Sequence, residues 1–315
     1  MHDRRQFLRA ALLGAASLAH RAAASDDSRP SGDAVIRGRL SESEVVITTT
    51  SRLAGAIHSL TWGGKEFIDS TDHGRQLQSA ANFDAGSPIQ DETFNPTEAG
   101  SRRDGAGPTS TSRLLHLVKT DCALQTTTQM AFWLAPGEMS GPNRAKNSTT
   151  RSNHLLTKRV TIASEETPPV IRYNVTFGVP IGEQHRTAVF EAVTGYMPAE
   201  FSQFWKYNPE TAQLEPLSDG PGEQPYPVVL ATPDGRYAMG CYAPPMTPTP
   251  PGLMSVSYGR FRFRHERVVK WNCVFRFQTQ RGVLPAGDYS FSMRVVVGSL
   301  ETLRDTLAAL HEQAG

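Results

Sequence analysis

The stretch that decides the fold is Leu53–Ile68, which reads LAGAIHSLTWGGKEFI. Apolar and polar residues alternate over 55–62, as they do in a strand with one buried face. The pair Gly63-Gly64 then favours a tight turn, and Lys65–Ile68 begins a return strand. This stretch predicts a β-hairpin near the start of the folded chain.

Strand-length runs continue along the rest of the chain. Glu44–Thr50 is rich in β-branched residues, which favour strands. The other runs are Leu114–Lys119, Thr126–Leu134, His154–Ile162, Val170–Phe177, Val228–Leu230, Tyr237–Tyr242, Met254–Tyr258, Arg267–Phe277 and Tyr289–Val297. Many short strands separated by turn signals predict an all-β fold, a large antiparallel β-sandwich.

One segment differs from this pattern. Leu300–His311 carries leucines at helical spacing, at 303, 307 and 310. We expect a short C-terminal helix whose apolar face packs on the sandwich. Because the sequence has no internal repeat and no evident domain linker, we expect one domain over residues 35–315.

The first residues resemble a bacterial twin-arginine export signal. MHDRRQFLR is followed by an apolar run of about ten residues and by Ala22-Ala23-Ala24, a small-residue cleavage site. The alternative is a short amphipathic or membrane-anchoring helix, but the run is shorter than the roughly 20 residues that span a bilayer. We therefore expect a signal over 1–24, a polar linker over 25–34, and a folded protein delivered by the twin-arginine machinery to the periplasm or the medium.

Charge and composition exclude some partners. Removal of residues 1–24 takes away four Arg and one Asp, which leaves 28 basic and 30 acidic residues and a net charge of −2. Nucleic-acid binding needs a basic face, so it is not expected. No segment of the remaining chain predicts a membrane span.

The three cysteines are too few for a disulfide framework and lack the spacing of a metal site. Cys241 and Cys273 lie in strand-like segments and form a disulfide in one interpretation. In the other, Cys122, Cys241 and Cys273 are all buried thiols. The sequence predicts no cofactor and no metal.

Several segments together resemble the galactose mutarotase-like β-sandwich of aldose 1-epimerases and other carbohydrate-active proteins. Leu53–Ile68 is similar to the first hairpin of that family, and Leu156–Ile162 with Val170–Phe177 to its central hairpin. Val283–Phe291 is similar to its last turn and strand. The resemblance implies a fold that handles sugars, although fold alone does not establish function.

The catalytic residues of the epimerases have no clear counterparts. That family uses a His as acid and a Glu as base on the two sides of a sugar ring. The nearest counterpart of the His is His185, without the Asn or aromatic neighbour of the family, and Phe275–Gln280 lacks the Glu. The resemblance therefore implies a sugar-binding fold without the chemistry of the epimerases.

The first candidate site is Asp72–Gln78. On a strand, His73 and Arg75 share a face, so the Arg is placed to hold a sugar carboxylate while the His moves protons. Gln76 is a further candidate substrate ligand. The alternative is a charged surface turn.

The second candidate site is Glu92–Gly105, within a polar segment over 84–113 that is rich in Gly, Pro, Ser and Thr. Asn95-Pro96 and Ala99-Gly100 fix turns around Glu98, which makes Glu98 a candidate catalytic acid or base and Asn95 a candidate ligand. Segments of this length are functional or disordered. The alternative is a flexible, solvated loop.

Further candidates lie in the strands. His154 enters the central strand from a polar loop and is a second candidate catalytic His; the alternative is a structural residue at a strand end. Tyr196 and Tyr207 are candidate substrate ligands because sugars stack on aromatic rings, and the alternative for these rings is core packing. Glu191 is a candidate polar ligand for the sugar hydroxyls. In Arg260–Arg267 basic and aromatic residues alternate, which favours a strand with a solvated basic face and an apolar core face over a site for an anionic polymer.

These observations predict an exported carbohydrate-active protein that acts as a hydrolase, lyase or isomerase by acid/base chemistry. The alternatives are a non-catalytic periplasmic glycan-binding protein and a structural protein. An enzyme predicts a carboxylate and a His within about 10 Å in one cleft. A binding protein predicts an aromatic platform without that pair.

Overall fold

The computed structural model describes residues 30–314, so the signal predicted for 1–24 lies outside the described residues. Within this range the chain is antiparallel β-structure that ends in one α-helix, which confirms the all-β fold class. The described part contains no helix that is long and apolar enough to cross a membrane.

Residues 30–314 form strands of 2 to 13 residues, one α-helix and two short 3-10 turns. The strands are β1 (Ala34–Leu40), β2 (Ser43–Thr49), β3 (Ile57–Trp62), β4 (Lys65–Glu66), β5 (Leu77–Phe83), β6 (Pro96–Thr97), β7 (Arg113–Lys119), β8 (Ala123–Phe132), β9 (Met139–Ser140), β10 (Asn143–Arg144), β11 (Arg151–Ala163), β12 (Val170–Val179), β13 (Thr187–Pro198), β14 (Gln203–Asn208), β15 (Gln213–Pro216), β16 (Gly222–Gln224), β17 (Val228–Ala231), β18 (Ala238–Tyr242), β19 (Leu253–Phe263), β20 (Val268–Gln278) and β21 (Gly287–Gly298). The helix α1 spans Leu300–Ala314, and two 3-10 turns span Ser51–Leu53 and Arg102–Asp104.

The hairpin predicted from Leu53–Ile68 is present as β3 and β4. Trp62 pairs with Lys65 across the turn, and Gly63 and Gly64 both have positive φ, 58° and 80°. Two positive φ values in a two-residue hairpin loop are the geometry that glycine adopts without steric cost.

Most strands form two antiparallel layers, while β9 and β10 pair with each other in a separate two-stranded sheet. In the first sheet the order is β1, β2, β3, β5, β13, β20, β19, β16. In the second it is β7, β8, β11, β12, β21, β18, β17, β14, β15. The short strand β6 pairs with β5 of the first sheet and with β8 of the second, and so joins the two layers.

The two sheets pack through aromatic side chains. Phe190 of the first sheet lies 5.0 Å from Phe177 of the second, ring centre to ring centre, and Phe275 stacks on Phe291 at 4.3 Å. These residues belong to one large buried cluster that draws on both sheets. The alternation of buried and open positions along β5, β13 and β20 therefore leaves one face of the first sheet pointing away from the core.

The C-terminal helix packs as the leucine spacing predicts. Leu303, Leu307 and Leu310 are buried, together with Val296 of β21 and Ala238 of β18, in a second apolar cluster. This amphipathic contact covers the outer face of the second sheet.

The three cysteines are free thiols. Cys241 and Cys273 are buried, in agreement with the interpretation as packed thiols, but Cys122 is exposed, so that interpretation is wrong for Cys122. Burial raises the pKa of the Cys241 thiol well above its ordinary value, which keeps that thiol neutral.

The segment 84–113 is largely irregular, and its polar groups are bonded to one another. The Asp104 carboxylate accepts hydrogen bonds from the backbone N–H groups of Ser101 and Thr111, at 2.8 Å and 2.9 Å. The Ser110 hydroxyl donates to Ala99 O at 2.8 Å. These bonds give the second half of the segment a fixed course.

Replacement of Gly195 by Ala is expected to lower the free energy of unfolding by about 1–3 kcal/mol because it overpacks the core. Gly195 of β13 pairs with Trp271 of β20, and a Cβ at 195 would lie 2.6–2.7 Å from three atoms of the indole. Gly178→Ala is the control, since its Cβ would meet its nearest neighbours at 3.5 Å. Denaturant titration of both variants tests this, and equal stabilities would contradict it.

Candidate functional site

A cavity of about 520 Å³ opens on the outer face of the first sheet. Its floor consists of the outward side chains of β5, β13, β19 and β20, and its rim comes from residues 89–97 and from Trp133. The polar and aromatic residues of the lining are Gln78, Asn82, Asp91, Glu92, Asn95, Thr97, Trp133, Glu191, Thr194, Tyr196, Glu223, Phe261, Phe263, Lys270, Asn272 and Arg276.

A β-bulge in β13 shapes the floor. Glu191 pairs with Ala80 and Val274, but Thr194 pairs with Gln78 and Asn272, so β13 has one more residue than either neighbour in this interval. In a regular strand, residues an odd number apart point to opposite faces. The extra residue changes that parity, and Glu191 and Thr194 both face the cavity.

Glu191 is the centre of a hydrogen-bonded cluster on the floor. Its Oε2 accepts from Thr194 Oγ1 at 2.9 Å, from Lys270 Nζ at 3.0 Å and from Asn272 Nδ2 at 3.2 Å. The amide of Asn272 is fixed in turn, since its Oδ1 accepts from Gly259 N at 2.9 Å. All three donors reach the same carboxylate oxygen, which leaves Oε1 for a ligand.

The charges of this cluster stabilise each other. Burial alone would raise the pKa of Glu191, but the Lys270 ammonium and the hydrogen bonds outweigh it and lower that pKa. Burial alone would lower the pKa of Lys270, and the Glu191 carboxylate outweighs that effect and raises it. Glu191 is thus a carboxylate and Lys270 an ammonium at neutral pH.

Aromatic rings form a row beside this cluster. Phe261 and Phe263 stack with centres 6.2 Å apart and planes 11° apart, and Phe263 stacks with Tyr196 at 6.3 Å and 21°. Lys270 Nζ lies 5.1 Å from the centre of Phe261 and 5.2 Å from that of Tyr196. The row presents apolar ring surface next to charged hydrogen-bonding groups.

Two acidic side chains at the edges of the cavity are fixed by partners. Glu223 Oε2 lies 2.8 Å from Arg276 Nη1 and accepts from Ser257 Oγ, also at 2.8 Å. Glu92 has a positive φ of 67° and accepts from Ser140 Oγ at 2.7 Å. A non-glycine residue in this backbone region is uncommon and is found at functional positions.

Three of the predicted ligands, Asn95, Glu191 and Tyr196, line this cavity. The two predicted segments meet there as well, since Gly74 of the first and Asn95 and Thr97 of the second belong to the same lining. Asn95 Nδ2 donates to Ala81 O at 2.6 Å and so fastens the rim to β5.

Three other predicted ligands lie outside the lining. Arg75 pairs with Asp72, with 3.2 Å between Nε and Oδ2. Gln76 is buried and donates to Asp72 O. Tyr207 is buried in the cluster of α1, where its ring lies 6.3 Å from that of His311. Their binding roles stay predictions.

The predicted catalytic His73 is also buried. Its Nδ1 lies 2.7 Å from Gly105 O and its Nε2 2.9 Å from Arg52 O. The ring therefore links two loops to the segment that enters β5. This is a structural position, and a catalytic role for His73 stays a prediction.

Glu98 belongs to a polar network inside the sandwich. Its side chain is fully buried, its Oε1 pairs with Lys158 Nζ of β11, and its Oε2 accepts from Ser79 N at 3.1 Å. The Ser79 hydroxyl donates to Ala192 O at 2.7 Å, the carbonyl in the β13 bulge, and lies 2.9 Å from Tyr173 Oη. Glu98 thus lies behind the cavity floor rather than in its lining, and its predicted catalytic role is untested.

His154 lies on the core side as well, against Phe83. Its ring is 4.9 Å from that of Phe83, and its Nε2 is 3.3 Å from Glu183 Oε2. Burial lowers the pKa of His154 to about 4, even though the nearby Glu183 carboxylate acts in the opposite direction. His154 is therefore neutral at pH 7, and its predicted catalytic role stays a prediction.

Sequence reasoning missed several cavity residues, chiefly Lys270, Asn272, Phe261 and Phe263. The prediction that the aromatic face of Arg260–Arg267 packs into the core is wrong, because Phe261 and Phe263 line the cavity instead. The signal was present in the alternation of that stretch. It showed two faces but not which of them was buried.

No protein-family model matches the sequence, and no curated protein matches it. Among solved structures, an alpha-galactosidase from Lactobacillus brevis is similar with a TM-score of 0.44 and 10% identity, over 89% of this chain and 42% of that one. The chain thus spans less than half the length of the galactosidase.

The match with this chain extends over almost the whole length of two further solved structures. The Slr1438 protein from Synechocystis is similar with a TM-score of 0.44 and 9% identity, over 84% of this chain and 96% of that chain. A protein assigned as a mutarotase from Salmonella typhimurium is similar with a TM-score of 0.35 and 9% identity, over 86% and 97%. One of these structures is thus named as a mutarotase, but with TM-scores below 0.5 none of them assigns a residue, substrate or activity to this chain.

Glu98→Gln is expected to lower the free energy of unfolding by about 3–5 kcal/mol, because it leaves the Lys158 ammonium buried without its carboxylate. The double variant Glu98→Gln/Lys158→Met removes both charges and should regain most of that loss. Denaturant titration of the two variants measures the difference. Wild-type stability of Glu98→Gln would contradict the structural role and favour the predicted catalytic one.

Proposed function

We propose that this chain is an exported carbohydrate-active protein that binds a saccharide in the cavity of the first sheet. The observation that carries the proposal is the row of Tyr196, Phe263 and Phe261 beside the Glu191 cluster. A pyranose ring has apolar C–H faces and a polar edge of hydroxyls. The rings offer a surface for the faces, and Glu191 and Lys270 offer an acceptor and a donor for the edge.

The size and lining of the cavity fit a small ligand. Its volume of about 520 Å³ lies within the range of about 300–1,000 Å³ that is common for small-molecule sites. Such sites combine aromatic surface with a few fixed polar groups. The Glu191 cluster is fixed before any ligand arrives, because Thr194, Lys270 and Asn272 hold its carboxylate.

The charges favour a neutral saccharide over a uronic acid or a sulfated sugar. The lining holds four carboxylates, at Asp91, Glu92, Glu191 and Glu223. Its two cationic groups are both paired, Lys270 with Glu191 and Arg276 with Glu223. An anionic sugar would face this acidic surface without a free cation among the described lining residues.

Turnover by acid/base chemistry is the second candidate function. The observation that favours it is the ionised Glu191, held by three donors on one oxygen with the other oxygen available. A carboxylate of this kind acts as a base or nucleophile when a second carboxyl group supplies the proton, and Asp91 and Glu92 line the same cavity. The described lining contains no His, so this scheme relies on carboxyl groups alone.

A glycan array probed with the purified protein tests saccharide binding. We expect binding to neutral glycans, and Phe263→Ala is expected to weaken it about tenfold, or about 1.4 kcal/mol, through loss of ring surface. Leu115→Ala is the control, since this exposed side chain of β7 lies outside the cavity lining. Binding of acidic glycans alone, or equal binding by Phe263→Ala, would contradict the proposal.

Glu191→Gln in the same assay separates binding from turnover. If the protein is an enzyme, this variant should still bind the glycan but should no longer convert it to products. Chromatography of the reaction mixture measures the conversion. If the protein only binds, the wild type itself should leave the glycan unchanged.

Export is proposed from the leader sequence alone. Replacement of Arg4 and Arg5 by Lys should block delivery to the periplasm of a bacterial host, because paired arginines are the recognised element of this signal. Cell fractionation and immunoblotting measure the outcome, with a host that lacks the twin-arginine machinery as reference. Equal periplasmic amounts of the variant and the wild type would contradict this route.

A further inference from the structure

Three potential metal ligands converge where β11 passes the turn between β12 and β13. They are His154 of β11 and Glu183 and His185 of the turn. Glu183 Oε2 lies 3.3 Å from His154 Nε2 and 2.9 Å from His185 Nε2, and one donor atom of each residue lies within 4.8 Å of the other two. The three residues supply two imidazoles and one carboxylate.

The His154 ring is buried and lacks a hydrogen-bond partner. Its side chain is 2% exposed, and among the described atoms neither ring nitrogen forms a hydrogen bond. Buried polar atoms are nearly always paired, and an unpaired one indicates that a further group, such as an ion, binds there. Nε2 of this ring lies 3.3 Å from Glu183 Oε2, a distance that a shared ion would bridge.

His185 is oriented as a metal-binding histidine is. Its Nδ1 lies 2.5 Å from Asp84 O and donates to that carbonyl. The carboxylate of Asp84 is itself held by the backbone N–H groups of Arg186 and Thr187, at 2.9 Å and 2.8 Å. A carbonyl that accepts from Nδ1 fixes the tautomer of the ring and leaves Nε2 as the metal-binding atom.

The neutral form of His185 cannot bond to Glu183 directly. With the proton on Nδ1, the lone pair of Nε2 faces the carboxylate oxygen of Glu183 at 2.9 Å. Two acceptors at that distance need a cation between them, either a proton or a metal ion. The imidazole of His154 lies near the same Glu183 oxygen. A single proton between His185 and Glu183 would leave His154 without a partner, whereas a metal ion can bind both imidazoles, so the metal ion is favoured.

The spacing fits a small divalent ion. With bonds of about 2.0–2.1 Å, two ligand atoms of a tetrahedral zinc site lie about 3.4 Å apart. The two distances to Glu183 Oε2, 3.3 Å and 2.9 Å, need little change to reach that value. Nitrogen and carboxylate ligands suit zinc and other transition ions better than calcium or magnesium.

The surroundings hold the ligands in place and leave an approach from solvent. Phe83 lies against both imidazoles, with ring centres at 4.9 Å from His154 and 4.7 Å from His185. Phe94 and Phe132 complete the apolar shell around His154. The Glu183 side chain is 23% exposed, so an ion has a path to the site.

We propose that His154, Glu183 and His185 bind one divalent transition-metal ion, with zinc as the best fit. The ion joins β11 of the second sheet to the residues that lead into β13 of the first. It therefore clamps the two layers at the end of the strand that carries Glu191. The role is structural, and the site is separate from the cavity, whose lining includes none of the three ligands.

Metal binding by the purified protein tests this directly. After treatment with EDTA, the chain should take up one Zn²⁺ per molecule, measured by elemental analysis after dialysis, and the melting temperature should rise on loading. Co²⁺ at the same site should give the visible absorption bands of a tetrahedral complex. Binding of much less than one zinc ion per molecule by the wild type would overturn the proposal. The short contact between His185 and Glu183 would then be explained by a protonated His185.

Variants assign the ligands. His185→Gln and Glu183→Gln should each weaken zinc binding at least tenfold, in line with the loss of a ligand, and abolish the rise in melting temperature. His116→Ala is the matched control, because this exposed histidine lies on β7 away from the three ligands. Unchanged zinc binding in both ligand variants would overturn the assignment even if the wild type bound zinc.

Discussion

The bulge in β13 is the constraint on which the cavity depends. One extra residue between Glu191 and Thr194 reverses the inward and outward directions of the side chains in the second half of the strand. As a result, Thr194 and Tyr196 lie on the same face as Glu191. Without it, the alternation of the strand would direct Thr194 and Tyr196 into the core. The cluster around Glu191 needs Thr194 as a donor, and the ring row needs Tyr196. Both features of the proposed binding site thus follow from one irregularity in one strand.

The interior of the sandwich holds that irregularity in place. Ser79 donates to the Ala192 carbonyl, and Glu98 accepts from the Ser79 amide while it pairs with Lys158. A buried network of this kind is stabilising only when its members are satisfied, so a change at any of them reaches the bulge. Burial, with the charge of Glu98 nearby, raises the pKa of Tyr173 well above its ordinary value and keeps its hydroxyl protonated, as a donor to Ser79. The shape of the floor and the stability of the core therefore depend on the same buried network.

Local patterns predicted the fold better than the site. Alternation and the Gly63-Gly64 turn are sufficient for the first hairpin, and the leucine spacing is sufficient for α1. The side chains of β13 that face the cavity could not be predicted beyond residue 191. A bulge exchanges the inward and outward positions of the strand, and no residue pattern in this stretch indicates the bulge. Glu98 was singled out for its turn-rich surroundings, yet those turns direct it inward to Lys158. His154 and His185 meet because β11 pairs with β12 and His185 follows the end of β12. Their spacing of 31 residues in sequence therefore carried no sign of a metal site.

The most direct measurement is a crystal structure of the protein with a neutral glycan that the array identifies. The account predicts a sugar ring packed on Phe263 and Tyr196, with a hydroxyl group within hydrogen-bonding distance of Glu191 Oε1. It also predicts Glu191, Thr194 and Tyr196 on one face of β13. A glycan bound elsewhere on the protein, or a regular β13 that directs Thr194 and Tyr196 into the core, would contradict it.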